Sequence, residues 1–219
     1  TAFIDVPAGV AIPIGIAPAS SASAADTIPG IGTTFTLTAG QTYAVIANGV
    51  TAPGSFAVNP DGRSTAFTFF VKEGVRTSAA VSSEVDFVVL HGATDAPTVD
   101  VIANGALTIV NDAAYGDITN YINVPAASYA LGITPAAGAP VLLTYTADLT
   151  TLAGGAAVVF ASGFLDPATN QNGPGFGLYA ALPNGTVIPF TNTTSVSESI
   201  EIVSGLYPNP SSQFVNIAF

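Results

Sequence analysis

The sequence contains a diverged internal repeat. Four segments return in the same order later in the chain: residues 3–9 as 121–127, 15–19 as 132–136, 39–49 as 153–163, and 67–70 as 176–179. The offset falls from 118 to 117, 114 and 109 residues, as small differences in loop length accumulate. Self-similarity of this kind indicates two copies of one structural unit, and it constrains the fold more than any single motif does.

The first repeat starts in the middle of this unit. The second repeat begins near Val85, which is 36 residues before Tyr121 (121 − 85 = 36), whereas only two residues precede the matching Phe3. Equating the two copies, we expect the first repeat to lack about 34 residues at its amino-terminal end. The predicted organisation is an incomplete first repeat (residues 1–80), a complete second repeat (84–190), and a linker with a tail (191–219).

Short runs rich in Val, Ile, Thr, Phe and Tyr recur about every 8–12 residues between turn residues, which is the pattern of an all-β protein. The predicted strands are Ala2–Val6, Thr33–Thr38, Tyr43–Ala47, Thr65–Lys72, Val85–His91, Val99–Ala103, Leu107–Val110, Ile118–Val124, Tyr129–Thr134, Val141–Thr146, Ala157–Ala161, Gly177–Ala181 and Thr186–Phe190. The second repeat has the size of an immunoglobulin-like sandwich. The predicted fold is therefore all-β: two tandem immunoglobulin-like β-sandwich domains, the first lacking its N-terminal strands, plus a C-terminal strand-like tail.

The charge balance narrows the range of partners. The net charge is −11, and Arg63, Lys72 and Arg76 are the only Lys or Arg residues. Nucleic acids and anionic membranes bind clusters of such residues, so neither partner is expected. No apolar run approaches the roughly 20 residues of a membrane-spanning helix, so no membrane insertion is expected. Without Cys there is neither a disulfide nor a thiolate metal site.

The titratable residues do not form a recognisable catalytic pattern. His91, the only histidine, is near Asp86, Asp95 and Asp100, but no Gly-x-Ser-x-Gly nucleophile elbow accompanies it. We expect its ring nitrogens to bond the Asp95-Ala96-Pro97 turn instead. No carboxylate pair is distinguished by its spacing, as a glycosidase would need. The predicted protein is not an enzyme and has no catalytic residue, cofactor site or metal site.

Three other features have a structural and a functional interpretation. The segment 166–173 superficially suggests a calcium loop, but Ala168 stands where a third-position oxygen ligand belongs, so a plain loop is expected there and at the equivalent 59–63. Phe67 and Phe69 alternate on one strand face and are expected in the core, although with Phe70 they could form an exposed binding strip. Asp26-Thr27-Ile28 makes Thr27 a weak candidate for O-glycosylation, as it resembles the Asp-Ser/Thr-apolar site used by bacteria with type IX export.

The start of the second repeat carries a family resemblance. His91-Gly92-Ala93-Thr94-Asp95-Ala96-Pro97-Thr98-Val99-Asp100-Val101 and the following Asn104-Gly105 resemble the opening motif of a widespread bacterial extracellular domain of unknown function. That domain often occurs in tandem. The resemblance extends over nearly all of the second repeat and the surviving part of the first. It implies a β-sandwich at the cell surface, and it implies no activity.

The tail carries a second resemblance. A Tyr-Pro-Asn-Pro turn followed by a strand-like segment is similar to the start of the C-terminal sorting domain of the type IX secretion system. The residues of this motif are Leu206, Tyr207, Pro208, Asn209 and Pro210. Only 14 residues of such a domain are present, from 206 to 219, and an unrelated Pro-rich turn is the alternative. The resemblance implies a secreted protein, extracellular or on the outer surface of a bacterium.

An incomplete sandwich exposes open sheet edges, which aggregate unless a strand covers them. The tail segments have the apolar character of the missing strands, and the candidate donor residues are Ile200, Ile202, Val203, Phe214, Val215, Ile217 and Phe219. We therefore expect a non-catalytic structural protein, a homopolymer in which each subunit donates a strand to its neighbour in a surface filament. The alternative is a monomeric adhesion or ligand-binding module, with its first repeat completed by other residues of its own polypeptide.

Overall fold

The computed structural model describes residues 3–194, and they form an all-β structure. The strands are β1 (Ala11–Gly15), β2 (Gly32–Thr36), β3 (Tyr43–Asn48), β4 (Thr68–Glu73), β5 (Glu84–Leu90), β6 (Val99–Ala103), β7 (Leu107–Ala113), β8 (Ile122–Pro125), β9 (Ser128–Pro135), β10 (Leu143–Asp148), β11 (Ala156–Ser162), β12 (Gly177–Ala181), β13 (Val187–Pro189) and β14 (Thr191–Asn192). Single 3-10 turns lie at Ala24–Asp26, Pro53–Ser55 and Pro167–Thr169. No helix in residues 3–194 is long and apolar enough to cross a membrane.

The second repeat is a β-sandwich of two five-stranded sheets. One sheet has the order β14-β10-β9-β6-β7, and the other has the order β13-β12-β11-β5-β8. All neighbours are antiparallel except β5 and β11, which are parallel. Alternating apolar residues of both sheets meet in one buried cluster, including Phe87, Val101, Tyr145 and Val159. The predicted all-β sandwich fold is confirmed.

The first repeat consists of two separate two-stranded ribbons, β1-β2 and β3-β4. The β3-β4 ribbon has the same register as its counterpart in the second repeat. Ala44 faces Lys72 in β3-β4, and the residues at the expected offsets, Val158 and Ala181 (44 + 114 and 72 + 109), face each other in β11-β12. The β1-β2 ribbon corresponds to β9-β10 with a shifted second strand: Ala11 faces Thr36, and Ser128 (11 + 117) faces Asp148, which lies 112 rather than 114 to 117 residues after Thr36. The sequence repeat is therefore also a repeat of strand pairing.

A glycine closes the equivalent strand in each repeat. Gly49 follows β3 and Gly163 follows β11, with φ angles of 90° and 84°. A β-carbon at Gly49 would lie 2.7 Å from the Ala66 carbonyl oxygen, and one at Gly163 would approach the Gly175 carbonyl oxygen even more closely. Only glycine combines this backbone angle with such a close approach of a neighbouring chain. The two positions differ by the offset of 114 residues, so the repeat preserves this constraint.

Some predicted elements differ from the structure. Residues 3–7 are not a strand, although Ala2–Val6 was predicted to be one. Their counterpart β8 pairs with β5, and the first repeat has no equivalent of β5 among the described residues, so residues 3–7 lack a ladder partner. The strand β1 was missed because Pro13 interrupts its pattern, but proline is tolerated on an edge strand. The two-residue β14 lies in the predicted linker and pairs with β10.

Three phenylalanines in β4 and just before it lie at contacts between the two ribbons and between the two repeats. Phe67, Phe69 and Phe70 are all half-buried. Phe69 makes edge-on contacts with Phe35 of β2 and with Phe67, at centroid distances of 6.1 and 5.3 Å. Phe70 instead packs edge-on against Tyr115 of the second repeat, at 5.9 Å. The core prediction therefore describes a small cluster that joins the two ribbons, and Phe70 belongs to the contact between the repeats.

Candidate functional site at the contact between the two repeats

His91 directly follows β5, and the chain then makes a turn at residues 93–96. We call residues 91–98 the His91 turn. The His91 side chain is 4% exposed, and its Nε2 lies 3.0 Å from the carbonyl oxygen of Pro97. The predicted bond between His91 and its own turn is confirmed for this nitrogen. Nδ1 is buried and has no hydrogen-bond partner among the described residues.

The surroundings of His91 favour its neutral form. Burial is the main cause that lowers the pKa of the imidazole, and the Pro97 hydrogen bond with the charges of Asp117 and Asp61 opposes it only in part. A carbonyl oxygen can only accept, so Nε2 carries the proton and Nδ1 presents a bare lone pair. His91 at neutral pH is thus a structural donor with one unused acceptor.

Tyr115 connects the His91 turn to the first repeat. Its hydroxyl donates to Oδ1 of Asn48 at the end of β3 (3.0 Å), and Nδ2 of Asn48 donates to the carbonyl oxygen of Gly92 (3.1 Å). The ring also lies edge-on to His91, at a centroid distance of 6.4 Å. Burial raises the pKa of Tyr115 to about 12, so the hydroxyl stays protonated and keeps this bond. The two repeats therefore share one hydrogen-bonded network.

A loop insertion in the first repeat docks onto the same turn. Between residues 49 and 67 the offset falls from 114 to 109, so this loop is five residues longer than its counterpart (114 − 109 = 5). Within it, the buried Asn59 donates from Nδ2 to the carbonyl oxygens of Thr94 (2.9 Å) and Ala96 (3.1 Å). Asp61 accepts from the backbone nitrogen and hydroxyl of Thr98, at 2.6 and 2.8 Å. Residues 59–63 form a loop, as expected, and Asn59 and Asp61 hold this loop against residues 94–98.

All three basic side chains of the sequence lie at this contact. Arg63 forms a two-pronged ion pair with Asp117, at 2.8 and 3.3 Å, and also donates to the carbonyl oxygen of Tyr115. Lys72 donates from Nζ to the carbonyl oxygen of Thr119 at 3.0 Å. The few cations of this acidic chain are thus concentrated where the first repeat meets the second.

The third cation, Arg76, lies in the segment that connects the two repeats and stabilises the position of that segment. Its guanidinium pairs with Asp86, whose side chain is completely buried in β5, and lies 4.3 Å from the centroid of the Tyr121 ring. The backbone nitrogen of Ala80 donates to the same carboxylate oxygen of Asp86 at 3.0 Å. Burying a carboxylate is costly unless it is paired, so this arrangement fixes the path of residues 76–80.

The loops at the same end of the sandwich make a second connection. Asp95 accepts from the backbone nitrogens of Leu165 and Asp166 (both 3.0 Å) and from Nδ2 of Asn170 (2.9 Å). The fully buried Asn170 in turn accepts from the backbone nitrogen of Ala57 in the first repeat. Asp95 therefore orders the loop of the second repeat, and Asn170 links it to the first.

The 166–173 loop has the structure of an ordinary capped turn. The Asp166 carboxylate accepts from the backbone nitrogen of Ala168 and caps the 3-10 turn that follows. Throughout residues 3–194, no group of three or more His, Asp or Glu side chains is placed to hold a metal ion. The carboxylates near His91 are held by backbone donors or by arginine. The arrangement binds two parts of one chain together.

The predicted modification site is exposed. Thr27 follows the 3-10 turn Ala24–Asp26 and is accessible to solvent. Hydrogen bonds from the backbone nitrogens of Ala22 and Ser23 and from the Ser21 hydroxyl lower the pKa of Asp26. Glycosylation of Thr27 stays a prediction.

The remaining predicted residues lie outside the described part of the chain. They are the candidate strand-donor residues Ile200, Ile202, Val203, Phe214, Val215, Ile217 and Phe219, and the sorting-motif residues Leu206, Tyr207, Pro208, Asn209 and Pro210. Both assignments stay predictions, as do the domain limits 1–80, 84–190 and 191–219.

The second repeat is a β-sandwich, and two ribbons in residues 3–74 resemble two of its strand pairs. A family model described as a domain of unknown function (DUF4397) matches residues 85–172 of this chain. A domain of unknown function is thus confirmed for most of the second repeat, including His91, Asp95 and Tyr115. Its extension over the first repeat and its extracellular location stay predictions. No curated protein and no solved structure matches the chain.

Proposed function

We propose that this protein is a non-catalytic extracellular structural protein, the subunit of a cell-surface filament. In this proposal the tail of one subunit completes the first repeat of the next. One observation carries the proposal: within residues 3–194, β1 and β3 each lack the second neighbouring strand that their counterparts β9 and β11 have in the second repeat.

Every strand of the two ribbons has an open edge within residues 3–194, since β2 and β4 also lack counterparts of the neighbours β14 and β13. The proposal concerns the edges of β1 and β3. In the second repeat, β9 pairs with both β10 and β6, and β11 pairs with both β12 and β5. Within residues 3–194, the counterpart of β9 (β1) pairs only with β2, and the counterpart of β11 (β3) pairs only with β4. Open edges of this kind present a row of free backbone donors and acceptors to another strand.

The first repeat also leaves apolar side chains uncovered. None of its residues belongs to the buried core cluster, whose members all lie between Val85 and Phe190. Among its large apolar residues, Ile4 is 75% exposed, Val10 is 50% exposed and Val71 is 39% exposed. Adding strands to β1 and β3 would cover apolar surface as well as pair the edges, and apolar burial is the main driving force for such association.

The tail has the sequence character of the two strands that are needed. Ile200-Glu201-Ile202-Val203 repeats the apolar, acidic, apolar, apolar order of Val85-Asp86-Phe87-Val88 in β5. Val215-Asn216-Ile217 likewise resembles Val99-Asp100-Val101 in β6. The two segments are 15 residues apart in the tail (215 − 200) and 14 in the second repeat (99 − 85). The tail is therefore the occupant to which we assign both edges.

The contact between the repeats supports polymerisation rather than a flexible pair. The Arg76, Arg63 and Asn59 contacts hold the first repeat against the second. A rigid subunit with an acceptor in its first repeat and a donor at its tail makes the same head-to-tail contact at each step. Such contacts give filaments when the rotation between subunits does not close a ring.

The outer-surface location is supported by sequence rather than by geometry. The resemblance of the second repeat to a bacterial extracellular domain and of residues 206–210 to a type IX sorting motif both favour secretion. The low charged fraction, 8%, and the absence of Cys suit a durable fibre that does not depend on disulfides. Possible glycan modification at Thr27 agrees with the same export route.

The test compares electron micrographs of the full 219-residue protein with those of three variants. We expect filaments from the full chain, and none from a chain ending at Thr194 or from Ile202→Asp, because both remove the apolar donor. Ser212→Asp is the matched control, because it adds the same charge between the two donor segments and should leave filaments intact.

Each outcome decides the proposal. Filaments from the chain that ends at Thr194 would show that the tail is not the donor. Monodisperse particles from the full chain would refute polymerisation and leave the alternative, a surface-anchored or secreted adhesion or ligand-binding module of tandem sandwiches.

A further inference from the structure

Within residues 3–194, β11 and β12 have a mostly apolar outer face that is only partly covered. The side chains that alternate with the core residues of these two strands point away from the core, and all of them are half-buried. They are Val158, Phe160, Ser162, Gly177, Tyr179 and Ala181, and we call them the β11-β12 outer face. On the adjacent strand β5, the outward residues Asp86 and Val88 are completely buried. The sheet is therefore covered beside Arg76 and the first repeat, and less covered at β11 and β12.

Two aromatic rings form the centre of this outer face. Phe160 and Tyr179 are opposite each other in the β11-β12 register, and their rings stack at a centroid distance of 5.5 Å and an interplanar angle of 22°. The Tyr179 ring lies over Gly177, where a β-carbon would be 2.7 Å from the Tyr179 hydroxyl oxygen. The neighbouring strand β13 extends the apolar surface with Val187, which is 52% exposed and faces Ala181. Contiguous apolar surface of this kind is typical of a protein interaction site.

The corresponding face of the first repeat is already an interface. At the offsets of 114 and 109 residues, the counterparts of the β11-β12 outer face are Ala44, Ile46, Asn48, Thr68, Phe70 and Lys72. Three of these residues, Asn48, Phe70 and Lys72, contact the second repeat. Their contacts are with Gly92 and with the segment 115–119. The face that is half open in the second repeat is thus the face with which the first repeat binds the sandwich that follows it.

The central pair of each face occupies the same register. Ile46 faces Phe70 in β3-β4, and Phe160 faces Tyr179 in β11-β12 (46 + 114 = 160 and 70 + 109 = 179). Both pairs are large and apolar. The second repeat therefore has the same kind of docking surface as the first, directed towards a further sandwich.

We propose that the β11-β12 outer face docks against the first repeat of a second copy of this chain. This inference rests on the proposed filament, in which the tail of one subunit completes the first repeat of the next and makes it the sandwich that follows the second repeat. Each junction between subunits then repeats the contact that joins the two repeats within a chain.

The first repeat of the second copy offers a matching apolar surface near Phe3. Within one chain, the segment 115–119 that contacts the first repeat leads directly to Tyr121, and Tyr121 corresponds to Phe3 at the offset of 118 residues. Phe3 and Ile4 are 44% and 75% exposed. A second copy is favoured over an unrelated protein because the chain already contains one example of this contact between its own repeats.

A tryptophan reporter tests this contact, because the protein contains no Trp. Tyr179→Trp places an indole ring at the centre of the outer face. The control is Leu107→Trp, at a position of the other sheet that is 55% exposed. Filaments of each full-length variant are separated from dilute subunits by sedimentation. We expect a blue shift of the emission on assembly for Tyr179→Trp, because its indole leaves water, and no shift for Leu107→Trp.

A charge substitution tests whether the contact stabilises the filament. Tyr179→Asp replaces the central ring by a carboxylate, and Leu107→Asp is the matched control because it adds the same charge to the other sheet. We expect Tyr179→Asp to raise the subunit concentration needed for assembly by about tenfold or more, since buried tyrosines contribute strongly to interfaces and a buried unpaired charge opposes them. Leu107→Asp should leave this concentration unchanged. Circular dichroism checks that each variant is folded.

The outcomes separate this inference from the proposed function. If filaments form and require the tail, but the emission of Tyr179→Trp is the same in filaments and subunits, the docking inference is wrong and strand donation stands. An emission that is already blue-shifted in dilute subunits would place another segment of the same chain on this face and would also overturn the inference.

Equal assembly of folded Tyr179→Asp and Leu107→Asp would contradict it as well, and the reporter decides if Tyr179→Asp does not fold. If the unmodified full chain forms no filaments, the proposed function fails and this inference fails with it.

Discussion

The two repeats share two strand pairs but differ in what surrounds the strands. In the second repeat, the β9-β10 and β11-β12 pairs lie inside five-stranded sheets that enclose a buried core. In the first repeat, the counterparts β1-β2 and β3-β4 are isolated ribbons that contribute no residue to that core. A two-stranded ribbon is only marginally stable by itself. The comparison teaches that the repeat specifies local pairing, whereas stability depends on the flanking strands.

The first repeat is held instead by its contact with the second. This contact contains hydrogen bonds and ion pairs, from Asn59 and Arg63 in the inserted loop to Arg76 in the connection, beside the aromatic pair Phe70–Tyr115. The comparison therefore makes different predictions for substitutions in the core, at the contact and at the open edges. They follow in order of decreasing effect.

Arg76→Ala removes the partner of a completely buried carboxylate. We expect the free energy of unfolding to fall by about 3 kcal/mol, because Asp86 is left as an unpaired buried charge. Urea denaturation followed by circular dichroism measures the change. A loss below about 1 kcal/mol would mean that Arg76 acts as an ordinary surface cation.

Val159→Ala and Val45→Ala compare equivalent positions, since 45 + 114 = 159. Val159 is buried in the second repeat, and its truncation should cost about 2 kcal/mol. Val45 is only half-buried, so the same change should cost less than about 1 kcal/mol in unassembled subunits. Denaturation midpoints at low protein concentration give both values. Equal losses would show that the first repeat already has a complete core.

Much of the fold could be predicted because repeats and strand patterns are local properties. Most of the strand runs and the all-β class follow from the sequence. Residues 3–7 were predicted as a strand because their pattern is strand-like, but whether a strand forms depends on a partner. The strand β1 was missed because Pro13 interrupts its apolar pattern, although a proline can stand in a strand where its nitrogen has no ladder partner to supply.

The buried His91 and Tyr115 predict a stability maximum between two pH limits. Burial lowers the pKa of His91 from 6.5, so the unfolded state binds a proton first and stability should fall as the pH drops below about 6.5. Burial raises the pKa of Tyr115 from 10.0 to about 12, so stability should fall as the pH rises from 10 towards 12. Tyr145 contributes to the alkaline limb in the same direction.

Melting curves across this range measure both limbs. His91→Phe should flatten the acidic limb and leave the alkaline limb unchanged, whereas Tyr115→Phe should do the reverse. If the stability of His91→Phe fell as steeply below pH 6.5 as that of the unmodified protein, protonation of His91 would not be the cause of the acidic loss of stability.

Arg63→Ala should have the smallest effect. The Arg63–Asp117 pair is exposed on both sides, at 44% and 42% of the two side chains, so its loss should cost less than about 1 kcal/mol. The same urea titration measures it beside Arg76→Ala. A loss as large as that of Arg76→Ala would show that the inserted loop, rather than the connection, holds the repeats together.

The contact between the repeats was harder to predict from the sequence than the fold was. His91 was correctly expected to bond its own turn, because both partners lie within seven residues. Asn48, Asn59 and Tyr115 were missed because their partners are far away in the chain. Two signals pointed to the contact: the fall of the offset from 114 to 109 across the inserted loop, and the restriction of all cations to residues 63–76.

The central claim, that the tail of one subunit completes the first repeat of another, is tested most directly by a cysteine pair. Val101 faces Ile133 across β6 and β9, and the corresponding residues are Ile217 in the tail and Ile16 after β1. The natural sequence has no cysteine, so Ile16→Cys with Ile217→Cys introduces one defined pair. Ile16→Cys with Asn216→Cys is the control, because adjacent strand residues point to opposite faces.

After mild oxidation, the account predicts a ladder of disulfide-linked multimers on a non-reducing gel from the first pair, and little cross-linking from the control. A single monomeric band from the first pair, whether unlinked or closed within one chain, would contradict completion of the first repeat by a neighbouring subunit.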